Sequence, residues 1–125
     1  MQLEGIDHVA LSVRDVERAA QWYIEVLGFE PRFQEMWKGV PIFIGKGTTA
    51  LALFQADSIR EACSENPIRM LHLAMRANRD NFLAAQDELR RRGIPFEFED
   101  HQISHSIYFN DPDGHKLEIT TYELG

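Results

Sequence analysis

The stretch Gly5-Ile6-Asp7-His8-Val9-Ala10-Leu11-Ser12-Val13 is answered later in the chain by Met70-Leu71-His72-Leu73-Ala74-Met75. In the first, Val9, Leu11 and Val13 alternate with His8, Ala10 and Ser12; in the second, Leu71, Leu73 and Met75 alternate with His72, Ala74 and Arg76. This period of two predicts a half-buried strand in each place. A helical pattern follows both. Asp15 is a suitable cap for a helix whose Val16, Ala19, Ala20, Tyr23, Val26 and Leu27 form an apolar stripe, stopped by Gly28. Asn78 and Asp80 precede a second helix carrying Phe82, Ala85 and Leu89, stopped by Gly93. With His8 aligned on His72, Gly28 falls one position short of Gly93, so the chain reads as two copies of one unit.

Further strands are expected after each helix, over about 31–37, 40–45 and 50–55, then 95–98, 105–110 and 116–122. Lys38-Gly39, Lys46-Gly47 and Asp111-Pro112-Asp113-Gly114 supply turns. The order is strand, helix, three strands, repeated, which is an α+β class. The expected organisation is a single domain over 1–125, with a first module over about 1–57, a linker over about 58–67 and a second module over about 68–125.

Composition narrows the function. The chain has 125 residues, 13 Lys plus Arg against 20 Asp plus Glu, and a formal net charge of -7. That charge repels polyanions, so neither nucleic acid nor an anionic membrane surface is an expected partner. The N-terminal stretch has no basic start leading into a long apolar run, and no window approaches a spanning helix. A cytoplasmic location is expected. The single Cys63 has no intramolecular disulfide partner and no surrounding pattern of a nucleophile.

His8 and His72 occupy matching places in the two units, on the face opposite Val9 and Leu73. Glu118, between Leu117 and Ile119, faces away from those two neighbours. If the units fold around one cleft, all three residues can point into it. Two imidazoles and one carboxylate with open coordination positions suit a non-haem Fe(II) site, and equally Mn, Zn, Co or Ni. The plainer reading is also available: strand histidines are commonly hydrogen-bonded packing residues, and a glutamate near a chain end can sit on an open sheet face.

The segment Ser106-Ile107-Tyr108-Phe109-Asn110-Asp111-Pro112-Asp113-Gly114-His115-Lys116-Leu117-Glu118 resembles the C-terminal motif of the vicinal oxygen chelate superfamily. That superfamily includes glyoxalase I, extradiol dioxygenases, fosfomycin-resistance enzymes and bleomycin-binding proteins. Gly5 to Val13, with Trp22-Tyr23 and Leu27-Gly28-Phe29, resembles its N-terminal motif. The resemblance implies two βαβββ modules forming a curved mixed sheet around a metal cleft, with His8, His72 and Glu118 on the ligand positions. The fourth ligand position falls near Ala52, which cannot bind a metal, so three ligands leave room for water, substrate or dioxygen.

Two three-ligand subfamilies compare closely. Ser106 and Tyr108 match polar pocket positions of fosfomycin-resistance enzymes, but Phe98 stands near their basic position and Glu97-Phe98-Glu99-Asp100 is acidic where a phosphonate needs a cation. His101, Ile107, Tyr108, Asp111, Pro112, Gly114 and Glu118 reproduce the order of the extradiol dioxygenase signature, although Asp57 stands where those enzymes have a further histidine. The leading expectation is therefore an extradiol-type ring-cleaving dioxygenase using Fe(II) or Mn(II), with Zn, Ni or Co as other candidate metals. In it, His101 moves protons, Tyr108 donates to the substrate, and Ser106, Tyr108 and Trp37 contact it. A glyoxalase-like lyase or thiol transferase with the same ligands is one alternative; a metal-free small-molecule binding protein is another. A homodimer acting on a small molecule is the expected assembly.

Overall fold

The computed structural model describes residues 1–2, 4–34, 41–56 and 70–125. Trp37, the expected Lys38-Gly39 turn, Asp57, Cys63 and the whole of the expected linker over about 58–67 lie outside them. The chain divides into two units, Met1–Glu65 and Asn66–Gly125.

In the first unit, β1 (Val9–Val13) leads through α1 (Val16–Leu27) to β2 (Glu30–Arg32), β3 (Ile42–Lys46) and β4 (Thr49–Gln55). The sheet order is β1-β4-β3-β2, with β1 parallel to β4 and the other pairs antiparallel. Asp15 caps α1 as expected, its side chain accepting from the backbone N–H groups of Glu17 and Arg18. Gly28 ends the helix at φ 73°, in the left-handed region where a side chain is disfavoured. Ala19, Ala20 and Tyr23 are buried, as are Val13, Ile44, Leu51 and Leu53 on the sheet; α1 packs on β3 and β4.

The second unit repeats the plan. β5 (Leu73–Arg76), α2 (Arg79–Arg91), β6 (Glu97–Asp100), β7 (His105–Asn110) and β8 (Lys116–Thr121) form a sheet in the order β5-β8-β7-β6. Again the outer first strand runs parallel to the last. Asn78 caps α2 by accepting from Asn81 N–H at 2.8 Å, and Phe82 and Leu89 are buried with Ile107, Phe109 and Leu117. The Arg90-Arg91-Arg92 run pairs with Asp87 and Glu88 along the last helical turns, an arrangement that also favours the helix dipole.

The repeat alignment is written into the ladders. Ala10 pairs with Ala52 across β1 and β4, and Ala74 pairs with Glu118 across β5 and β8. Ala52 therefore holds in the first unit the place that Glu118 holds in the second.

Several boundaries differ from expectation, and three of the differences bear on the site. β2 covers Glu30–Arg32 of the strand expected over 31–37, Phe33 turning to φ 53° and leaving the extended region, while 35–37 lie outside the described residues. The ladders begin at Val9 and Leu73, so His8 and His72 stand immediately before their strands rather than within them. β6 covers 97–100 rather than 95–98, its register set by four pairs with β7 from Glu97–Tyr108 to Asp100–His105.

Candidate functional site

One face of the second sheet is apolar and covered by α2; the other carries most of the chemistry. Alternation along β8 sends Lys116, Glu118 and Thr120 to that second face, and the antiparallel register sets Asn110, Tyr108 and Ser106 directly opposite them. On β6, Glu97 and Glu99 pair with Tyr108 and Ser106 and continue the same rows.

Glu118 is the centre of this face. It is only 8% exposed, so its carboxylate needs partners to offset lost hydration. His72 Nε2 stands 3.0 Å from Oε1, and the Ser106 hydroxyl donates to Oε2 at 2.7 Å. Ser106 is itself fully buried and also contacts Thr120 Oγ1 at 3.0 Å. A hydrogen bond of this kind fixes the carboxylate's rotamer.

Tyr108 stands beside it. Burial above all, then the negative charge of Glu118 and a hydrogen bond to it, and the charge of Glu99, hold the phenol above its ordinary value; a hydrogen bond with Ser106 opposes this. The proton therefore stays on the phenol at neutral pH. His101 Nε2 lies 3.0 Å from the same oxygen and 3.5 Å from Glu99 Oε2. Lys116 Nζ sits 4.9 Å from the centroid of the Tyr108 ring.

The turn between β7 and β8 holds these residues in register. Asp111, 5% exposed, accepts from the backbone N–H groups of Asp113 and His115, and Gly114 adopts φ 89°. The Asp-Pro-Asp-Gly sequence thus closes a tight turn rather than presenting a carboxylate for chemistry.

In the first unit, His8 Nδ1 is 2.8 Å from Asp7 Oδ2. Its ring meets Phe43 edge-on at 5.1 Å. A carboxylate on one imidazole nitrogen leaves Nε2 as the ring's donor for a ligand, the usual way a metal-binding histidine is oriented. Among the described residues, neither unit alone gathers three His, Cys, Asp or Glu side chains into a metal-holding group.

Of the residues singled out from sequence, His72, Glu118, Ser106, Tyr108 and His101 come together on one face of the second unit. His8 stands at the equivalent place in the first unit, and Trp37 lies outside the described residues. His105 opens β7 with its side chain 24% exposed and its ring 5.1 Å from Phe98. Sequence reasoning passed over Asp7, Lys116 and Thr120, and gave Glu99 no place beside Tyr108 and His101. The alternation that selected Glu118 would have selected Lys116 and Thr120 as well.

A repeated βαβββ unit, bearing a buried carboxylate beside an imidazole at the end of the second copy, defines a class of protein built from paired modules of this kind. The chain belongs to the Glyoxalase/Bleomycin resistance protein/Dioxygenase superfamily, whose family model matches residues 5–119. It is similar to the metallothiol transferase FosB of Staphylococcus epidermidis, 27% identical over 130 residues that cover 99% of this chain and 86% of that protein. It is also similar to the catechol-2,3-dioxygenase of Bacillus subtilis, 28% identical over 127 residues, covering 91% of this chain and 40% of that protein. Among solved structures, a glyoxalase/dioxygenase from Nostoc punctiforme matches with a TM-score of 0.78 at 22% identity, over 95% of this chain and 91% of that one.

Proposed function

We propose that the protein is a divalent-metal-dependent enzyme that takes a small aromatic diol through its two adjacent oxygens and opens the ring in the extradiol manner. His72 and Glu118, with His8 from the first unit, would hold the metal. The donor chemistry fits: an imidazole nitrogen and a carboxylate oxygen already converge to 3.0 Å, and such mixed N/O donors suit Fe(II) or Mn(II). When bound, the ion would supply Lewis acidity toward the substrate oxygens and a place for dioxygen.

The observation that carries the oxidative reading is the 3.0 Å contact between His101 and Tyr108 beside Glu118. Tyr108, kept protonated, can donate a hydrogen bond to a substrate oxygen. His101, 3.0 Å from the Tyr108 oxygen, can accept the proton a bound hydroxyl releases and return it later. Ser106 holds the far oxygen of Glu118, so the carboxylate keeps its orientation while substrate binds. The reading includes a small-molecule substrate and a homodimeric assembly.

The metallothiol transferase relative supports a second reading, addition of a thiol to a small substrate with the same ligands. Oxygen-electrode measurements on Fe(II)- and Mn(II)-loaded protein with catechol separate the two. Uptake of one dioxygen per catechol, abolished in His72→Ala, is the expected result. Metal binding without oxygen uptake, together with metal-dependent thiol consumption, would instead favour the transferase; no metal binding at all would favour a small-molecule binding protein.

A further inference from the structure

A cleft of about 590 Å³ opens in the second unit beside Tyr108, lined by Glu97, Asn110, Lys116 and the Pro95-Phe96 segment. Glu97 comes from β6 and Lys116 from β8, with Tyr108 on β7 between them. The Lys116 ammonium leans over the Tyr108 ring. Elsewhere in this unit opposite charges meet, as in Arg90–Asp87 and Arg92–Glu88. Among the described residues, however, neither Lys116 nor Glu97 has an ion-pair partner, although both face the same cleft.

We infer that this cleft receives the zwitterionic head group of an α-amino acid, its carboxylate against Lys116 and its ammonium against Glu97, with the Asn110 amide as a further hydrogen-bond partner. A plain carboxylate ligand would satisfy Lys116 but meet the repulsion of Glu97; a plain amine would do the reverse. A head group carrying both charges complements both sides. The head group could belong to a diol substrate with an amino-acid side chain or to an amino-acid thiol used as second substrate. What lies at the far end of the ligand rests on the proposed function; the cleft itself does not.

Titration of the metal-free full chain with L-phenylalanine, followed by backbone amide NMR, tests the cleft without any metal chemistry. Shifts are expected at Glu97, Asn110 and Lys116. N-acetyl-L-phenylalanine and L-phenylalanine methyl ester, each lacking one charge, should bind about tenfold more weakly, the scale of one charge-assisted contact. Lys116→Met and Glu97→Gln, both at exposed positions, should each remove the preference for the intact zwitterion. Tighter binding of L-3,4-dihydroxyphenylalanine than of L-phenylalanine to Mn(II)-loaded protein would assign the head group to the diol; tighter binding of L-cysteine would assign it to the thiol. Absence of L-phenylalanine shifts at the cleft, equal binding of the singly charged analogues, or a preference that survives both substitutions would overturn the inference. Because the first titration needs no metal, a protein that binds the amino acid but no metal would refute the proposed function and leave this inference standing.

Discussion

The two units share one topology and differ at matched positions. Where the second sheet sets Glu118 against Tyr108 and Ala74, the first sets Ala52 against Phe43 and Ala10. Where Ser106 holds the carboxylate in the second, the equivalent place in the first falls at Pro41, which has no hydroxyl to give. The apolar faces, by contrast, are interchangeable in kind: Ile44, Leu51 and Leu53 in one, Ile107, Phe109 and Leu117 in the other. The fold therefore depends on one face of each sheet, while the other face is free to be chemical or inert. A carboxylate can be kept there only where its neighbours were changed with it.

Transplanting the acid without the serine that holds it is the strongest way to break this comparison. Ala52 is 1% exposed, so Ala52→Glu would bury a charge against Phe43 with no Ser106 equivalent, at an expected cost of about 3–5 kcal/mol or the neutralisation of the introduced acid. Denaturant unfolding with a pH series checks it, the loss easing at acidic pH as the new group protonates. Next in size, Leu117→Ala should destabilise by about 2–5 kcal/mol, since the side chain is fully buried under α2. Equal losses for Leu51→Ala would confirm that the two apolar faces do the same job.

Ser106→Ala sharpens the other side of the comparison. It removes one of the bonds to a buried carboxylate and should cost about 1–3 kcal/mol in metal-free protein. Ser106→Thr, which keeps the hydroxyl, should recover part of that if the methyl fits. The smallest expected effects are at the helix caps: Asp15→Ala and Asn78→Ala should each cost about 1 kcal/mol, with helix content otherwise retained by circular dichroism.

Much of this was legible in the sequence because it depends on local rules. Period-two alternation marked the strands, Asp15 and Asn78 marked helix starts, and Gly28 and Gly93, both at positive φ, marked the stops. Ser106 and Tyr108 entered through the family resemblance, and the register of β7 against β8 sets Glu118 beside them. The contact between Tyr108 and His101 was not readable in that way, because His101 lies in a loop whose direction depends on how β6 registers against β7. The same long-range register moved β6 by two residues. Asp7 was missed because its role is to orient a neighbour, which leaves no period in the sequence.

The account centres on His72 and Glu118 acting together with His8 as metal ligands. The most direct test is metal stoichiometry and affinity after anaerobic reconstitution with Fe(II) or Mn(II), in wild type and in His8→Ala, His72→Ala and Glu118→Ala. One ion per chain, with affinity lowered at least about 100-fold in each variant while the fold is retained, is the predicted result. Undiminished metal binding in Glu118→Ala and His72→Ala, or no binding by the wild type, would contradict it.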